Sequence, residues 1–261
     1  MPNWAYNSMT VTSTSESKQV AIHDLQDFLN FIKVTDADGT VRYDLTQAHP
    51  MPKALEGTQS PAPDSPEPHP NWATMVENGK MTQERYDELV ANQRTKYEAG
   101  QKALAETGYT DWYEWCNKNW GTKWPPRFEH DDPTLCVDGD TPNIYAYYET
   151  AWSPADELIL KMSERFPNLV FEVSVTEEAN LYVGATRFHN GKALGAYYSL
   201  DDPKLPKHFV KRYNELLERT GDDDMDWSEH FEKMGDLQQE VLDYCEREVA
   251  LMRSMEIEVG S

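Results

Sequence analysis

Tyr6–Thr12 is rich in Thr and Val, with polar and apolar positions in rough alternation, the two-residue period of a half-buried strand. From Lys18 to Lys33 the period changes. Ala21, Leu25, Phe28, Leu29 and Ile32 keep the i, i+4, i+7, i+8, i+11 spacing of one helix face. Asp38-Gly39 signals a turn, and Thr40–Leu45 reads as a second short strand. The opening is predicted as strand, helix, strand.

Periodicity then stops. Pro50, Pro52, Pro61, Pro63, Pro66, Pro68 and Pro70 cannot sit inside a helix or a central strand. The stretch from His49 to Pro70 reads as an extended, mobile loop, polyproline-like in part, and as a spacer rather than a ligand for a proline-reading domain. Asp64 and Glu67 do not supply the basic flank such ligands carry. Beyond it, Thr82 caps a helix from Gln83 to about Thr107, with Tyr86, Leu89, Val90, Tyr97 and Leu104 near one face and Gly108 ending it. Thr110 caps a shorter helix, Asp111–Asn119, carrying Trp112, Tyr113 and Trp115.

The second half repeats the opening pattern. Ile144–Glu149 reads as a strand, and Ser153-Pro154 reads as an N-cap and N1 proline. Ala155, Leu158, Ile159, Met162 and Phe166 line the helix that follows, and Leu169–Val175 alternates as a strand. Tyr182–His189 and Lys192–Ser199 flank Asn190-Gly191, a type I′ hairpin signal. Two helices close the chain. Phe209, Tyr213, Leu216 and Leu217 mark the first; Phe231, Met234, Val241, Cys245, Val249 and Met252 line one side of the second, an apolar stripe expected to pack on the core.

Composition narrows the function classes. The chain has 261 residues, and 24 basic against 46 acidic side chains give a net charge of −22. From Glu215 onward 15 acidic and 4 basic residues supply half of that excess. Such a charge opposes nucleic acid and anionic membranes and favours a basic partner. No apolar run is long enough to cross a bilayer. The first residues carry neither a basic n-region nor an apolar h-region, so no secretory signal is expected. Cys116, Cys136 and Cys245, an odd and unpatterned set, fit a reducing cytoplasm.

Two strand–helix–strand patterns with helical excursions predict an α+β, ferredoxin-like antiparallel sheet with helices on one face, a helical insertion between the halves, and C-terminal helices. The expected divisions are 1–48 for the first strand–helix–strand unit, 49–80 for the proline-rich loop and 81–125 for the helical insertion. Residues 126–200 form the second unit with its hairpin, and 201–261 the acidic helices, all in one composite domain. Specific residues then match a family. Met1-Pro2-Asn3-Trp4, Asn7, Pro50-Met51-Pro52, Trp120-Gly121-Thr122-Lys123-Trp124, Thr150-Ala151-Trp152-Ser153-Pro154 and Glu177-Glu178 before the hairpin give a combination across roughly residues 1–200 that resembles the YubB ferredoxin-like family. That family occurs on bacteriophages and conjugative plasmids, and its function is largely unknown. Ala5 stands where the family often has cysteine, so no thiol chemistry is implied there.

Trp120, Lys123, Trp124 and Trp152 suit either a recognition pocket or anchors for the helical excursion. Glu177 and Glu178 are adjacent, so on a strand they face opposite ways and read as a polar strand end rather than an acid–base pair. Glu129, His130, Asp131 and Asp132 contain a single histidine and read as a solvated loop. Asp36-Ala-Asp-Gly39 and Asp222, Asp224, Asp226 lack the glycine and glutamate of a calcium loop. No phosphate-cradling glycine loop occurs, and neither metal nor cofactor is expected. Tyr145, Tyr147, Tyr197 and Tyr198 suggest a base-stacking sheet surface, but the charge and the missing glycine–aromatic signature argue against direct nucleic-acid contact. Nothing points to a catalysed reaction, and no catalytic residue is assigned.

The expected function is that of a phage- or plasmid-encoded interaction protein in the bacterial cytoplasm. Its acidic face of Asp222, Asp223, Asp224, Asp226, Glu229 and Glu232 is expected to imitate DNA on a basic host protein such as a defence or nucleic-acid-handling factor. The alternative is a small-molecule or nucleotide binder with Trp120, Lys123, Trp124 and Trp152 as its lining.

Overall fold

The computed structural model describes residues 3–128, 132–179, 182–221 and 226–259. Strand β1 (Trp4–Ser13) leads to helix α1 (Lys18–Ile32) and a short pair, β2 (Lys33–Thr35) and β3 (Val41–Tyr43). Helices α2 (Pro70–Glu77), α3 (Gln83–Thr107) and α4 (Trp112–Asn119) follow. Then come β4 (Thr134–Cys136), β5 (Asn143–Ala151), α5 (Asp156–Arg165), β6 (Leu169–Glu177), β7 (Val183–His189) and β8 (Lys192–Tyr198). Helices α6 (Lys207–Glu218) and α7 (Trp227–Val259) end the chain. The chain divides into two compact units, one of residues 49–120 and the other of residues 1–48 with 121–261.

In the larger unit the sheet order is β4-β5-β1-β6-β7-β8, and every neighbouring pair is antiparallel. β1 lies between β5 and β6, which α5 joins across it, so β5–α5–β6 is the split βαβ unit of a ferredoxin-like sheet. The alternation in β1 assigns its faces. Ala5, Asn7, Met9 and Val11 are buried on one side, where α1 sets Ala21, Leu25, Phe28 and Ile32 against the sheet. Phe28 meets Phe166 and Phe171 edge-on at 5.6 and 5.4 Å. Each such large side chain removed from water stabilises the fold by about 1.5–3 kcal/mol.

On the opposite face α7 covers the β6–β8 side. Met234, Leu237, Val241, Cys245 and Val249 recur at helical spacing and pack over Val183, Ala185 and Ala196. α7 leaves the same face open over β1 and β5. Asn190 and Gly191, with φ of 48° and 72°, make the hairpin turn that the dipeptide predicts.

Several local expectations change. The second strand does not enter the main sheet: β2 and β3 pair only with each other, and the edge beside β5 is taken by β4. In β3 the one aliphatic, Val41, is exposed, and the buried Leu45 lies in the 3-10 turn that follows, so the strand has no apolar face to bury in the main sheet. Helix α5 starts at Asp156, not after Ser153; the Ser153 hydroxyl donates to the Gly121 carbonyl at 2.6 Å instead of capping.

The smaller unit is described by itself. Its proline-rich stretch is held in place: the Ala62 amide donates to Asp111 Oδ2, Trp112 to Thr58 Oγ1, and Gln93 to the Ser65 carbonyl. His69 and Pro70 start α2, with the His69 ring accepting the Asn71 amide. α3 buries Gly100 and Ala103, while Leu104 is exposed. Small residues are selected there because a Cβ on Gly100 would lie 3.3 Å from the Ala62 Cβ. α4 is capped by Asp111 rather than Thr110, its carboxylate accepting the Tyr113 and Glu114 amides.

Candidate functional site

Asp226, Glu229 and Glu232 of the expected acidic face lie exposed at the start of α7, whereas Asp222, Asp223 and Asp224 fall outside the described residues. The structure adds what the charge pattern did not single out. Trp227 and Phe231, one turn apart on α7, keep 54% and 66% of their surface in solvent. Their ring centroids lie 6.0 Å apart, and the nearly buried His230 sits edge-on to both. The apolar stripe placed Phe231 on the core side; it faces water because the buried stripe begins at Met234. Two large aromatics left in water among carboxylates have the composition of an interface hot spot.

Further along α7, Asp236, Glu240, Asp243 and Glu246 are also exposed. Glu240 accepts from Arg212, Glu229 pairs with Lys233, and Glu246 accepts the Ser174 hydroxyl at 2.7 Å.

The four tryptophan-segment residues go to different places. Trp120 belongs to the smaller unit, where its buried indole meets Trp115 edge-on at 5.2 Å and donates to the His49 carbonyl at 2.8 Å. Trp124 leans on Trp4 at 6.0 Å, with the Lys123 ammonium 4.7 Å from its ring. Trp152 is 45% exposed and has a φ of 72°, a conformation rare for a bulky residue. Its carbonyl accepts the Tyr182 hydroxyl and its amide donates to Asn3, which hold the bend.

The four tyrosines also separate. Tyr145 and Tyr147 point from β5 onto the open face, where Tyr147 stacks with Tyr6 at 6.4 Å and 13°. Tyr198 turns under α7 towards Tyr244. Tyr197 occupies the other face of the sheet. Its ring lies flat on Gly184, whose added Cβ would come 1.9 Å from the ring, and its hydroxyl donates to Asp156 Oδ2 at 2.6 Å while accepting from Thr186. Burial pushes the Asp156 carboxyl up to about 6, against the Tyr197 hydrogen bond and with help from Glu157. The fully buried Tyr148 hydroxyl and Asp156 Oδ1 lack hydrogen-bond partners. Glu177 and Glu178 serve the strand end: Glu177 accepts the Ala179 amide at 2.9 Å and Glu178 the Trp4 amide at 3.0 Å. Of the His130 loop, Glu129, His130 and Asp131 lie outside the described residues.

A cleft of about 520 Å³ runs where the open face meets α7, with Ser8, Thr10 and Tyr145 on its floor and Leu242, Glu246 and Arg253 on its wall. Arg187, deep in the cleft, is paired with Glu172 at 2.6 Å. No helix among the described residues is long and apolar enough to cross a membrane.

No curated protein matches the chain. A crystal structure of the protein api92 from Yersinia pseudotuberculosis is similar at 11% identity and a TM-score of 0.34, covering 76% of this chain and 98% of that one. Residues 119–203 match the family model described as the ferredoxin-like domain in Api92-like protein, a span running from the Trp120–Trp124 segment through β8 and stopping before α6 and α7. Over that segment the chain is similar to the ferredoxin-like domain of Api92-like proteins.

Proposed function

We propose that the protein is a stoichiometric interaction module that docks a basic surface of a host protein through the start of α7. The observation that carries this reading is the exposure of Trp227 and Phe231 within a frame of Asp226, Glu229 and Glu232. The aromatic pair provides the desolvated anchor, and the carboxylates select a cationic partner and speed its approach.

Charge alone is a weaker explanation. Between Glu229 and Glu246 six exposed carboxylates and one lysine give a net of five negative charges over 17 residues. At about 1.5 Å per residue that is one charge per ~5 Å, against one per ~1.7 Å in duplex DNA. The α7 face carries about a third of the linear charge of the nucleic acid it would replace, so the aromatic anchor has to supply specificity. The resemblance to phage and plasmid proteins supports a bacterial cytoplasmic target that itself handles nucleic acid.

The test is capture of host proteins by the full chain and by Trp227→Ala/Phe231→Ala, in rising salt. A basic protein recovered near stoichiometry by the native chain and lost by the variant is the expected result. A set of captured proteins indifferent to the substitution refutes the reading.

A further inference from the structure

We propose that the open sheet face is a second, separate binding site, which takes an extended arginine-bearing segment of another protein. The face is built by alternation. Trp4, Tyr6, Ser8 and Thr10 of β1 lie beside Tyr145, Tyr147 and Glu149 of β5, in the register Tyr6 opposite Glu149, Ser8 opposite Tyr147 and Thr10 opposite Tyr145. Trp124 extends the aromatic row past Trp4. From Tyr145 to Glu149 the row spans about 14 Å, the length of about four residues of an extended chain.

The occupant follows from charge and ring chemistry. The protein's own cations already use these rings: Lys123 lies over Trp124, and the Arg127 guanidinium is 5.6 Å from the Trp4 ring centre. The row continues with Tyr6 and Tyr147, and with Tyr145, which is half exposed. Two carboxylates stand beside it: after burial, Glu178 and Glu149 disfavour the ionisation of Tyr6. In the cleft that prolongs the row along α7, Glu172, paired with Arg187, and Glu246 stand together with Arg253. A planar guanidinium stacks on such faces while its edge N–H groups reach the carboxylates. A phosphate backbone would meet these acids and a net charge of −22, and the Ser8 and Thr10 floor suits a hydrated polar chain better than an apolar one.

The test is calorimetric titration of the full chain with a short blocked peptide of alternating arginine and glycine, its citrulline and lysine counterparts, and an oligothymidylate of similar length. The arginine peptide is expected to bind, the citrulline peptide about tenfold more weakly and the lysine peptide more weakly than arginine. Tyr145→Ala/Tyr147→Ala should weaken the arginine peptide by about tenfold, roughly two stacking contacts. Tyr145→Ala alone, at a half-exposed position, serves if the double variant unfolds. Absence of binding up to ~1 mM, equal binding of citrulline, tighter binding of the oligothymidylate, or native affinity in the tyrosine variants overturns the proposal. Loss on Trp227→Ala/Phe231→Ala with the tyrosine variants unaffected moves the binding to α7, which overturns this site and leaves the reading above standing.

Discussion

Replacing Asp156 by Asn should stabilise the protein at neutral pH and do so progressively less as the solution is acidified. The carboxyl is raised from 3.8 to about 6, chiefly by burial. Because the folded protein holds this proton more tightly than the unfolded chain, the wild type loses stability as pH rises from about 4 to about 6, and stays at the lower value above that. A shift of about 2 units corresponds to a ceiling of about 3 kcal/mol at pH 7.5 and roughly half of that at pH 5. Asn keeps the oxygen that accepts the Tyr197 hydroxyl at 2.6 Å and replaces a charged carboxylate, whose buried Oδ1 has no hydrogen-bond partner, by a neutral amide. It also removes a negative charge from the first turn of α5, a loss of about 0.3–1 kcal/mol. The net expectation is a gain of about 1–2 kcal/mol at pH 7.5, or about 2–8 °C in the unfolding midpoint. Urea melts of both proteins followed by tryptophan fluorescence, at pH 5 and 7.5, measure it on the alkaline side of the isoelectric point of about 4.6. A variant less stable than wild type at pH 7.5, or a difference that does not grow between the two pH values, refutes the reasoning.

Gly184→Ala should destabilise by at least about 1–3 kcal/mol in denaturant melts, because the new methyl would overlap the Tyr197 ring at 1.9 Å and β7 cannot recede from its two neighbours; an unchanged midpoint would mean that Tyr197 does not lie on the sheet. In the native protein only Cys136 should react quickly with a thiol reagent, since burial pushes the Cys116 and Cys245 thiols up to about 12, while unfolding should release all three. Trp227→Ala/Phe231→Ala should change the unfolding free energy from denaturant melts by no more than about 0.5 kcal/mol, as expected for exposed positions; a large drop would mean that the pair is structural rather than an anchor.

Much of the architecture was legible from periodicity. β1, the α1 face, β6 and the Asn190-Gly191 hairpin all carry strong local signals that their burial then satisfies. The misreadings share a cause: long-range partners outbid local propensity. Ser153 has the chemistry of a cap, yet the Gly121 carbonyl takes its hydroxyl. Thr40–Leu45 has strand composition but no second buried face, so β4 takes the sheet edge. The proline-rich stretch gives no sign of the glutamine and aspartate side chains that hold it. The candidate sites were less legible. Acidic α7 residues announce themselves by charge, but the exposure of Trp227 and Phe231 depends on where burial begins, at Met234. Tyr6, Tyr145 and Tyr147 are consistent with a surface row from alternation alone; that α7 stops short of covering them is visible only in three dimensions.

The central position of β1 also governs how the chain can fold as it is made. The strand at the start of the sequence has both its partners far downstream: Trp4 pairs with Ala151, and Ala5 with Glu177. The edge facing β5 stays open until Ala151, 147 residues after Trp4, and the edge facing β6 until Glu177, 172 residues after Ala5. At about 5–20 residues per second that leaves β1 with open hydrogen-bonding edges for on the order of ten to thirty seconds on the ribosome. Residues 49–120 form a compact unit whose internal contacts can form within the interval, whereas the main sheet must close late and slowly, as contact order dictates. Sheet completion is thus a late event, and α1, emerging directly behind β1, is the element positioned to shield its apolar face meanwhile.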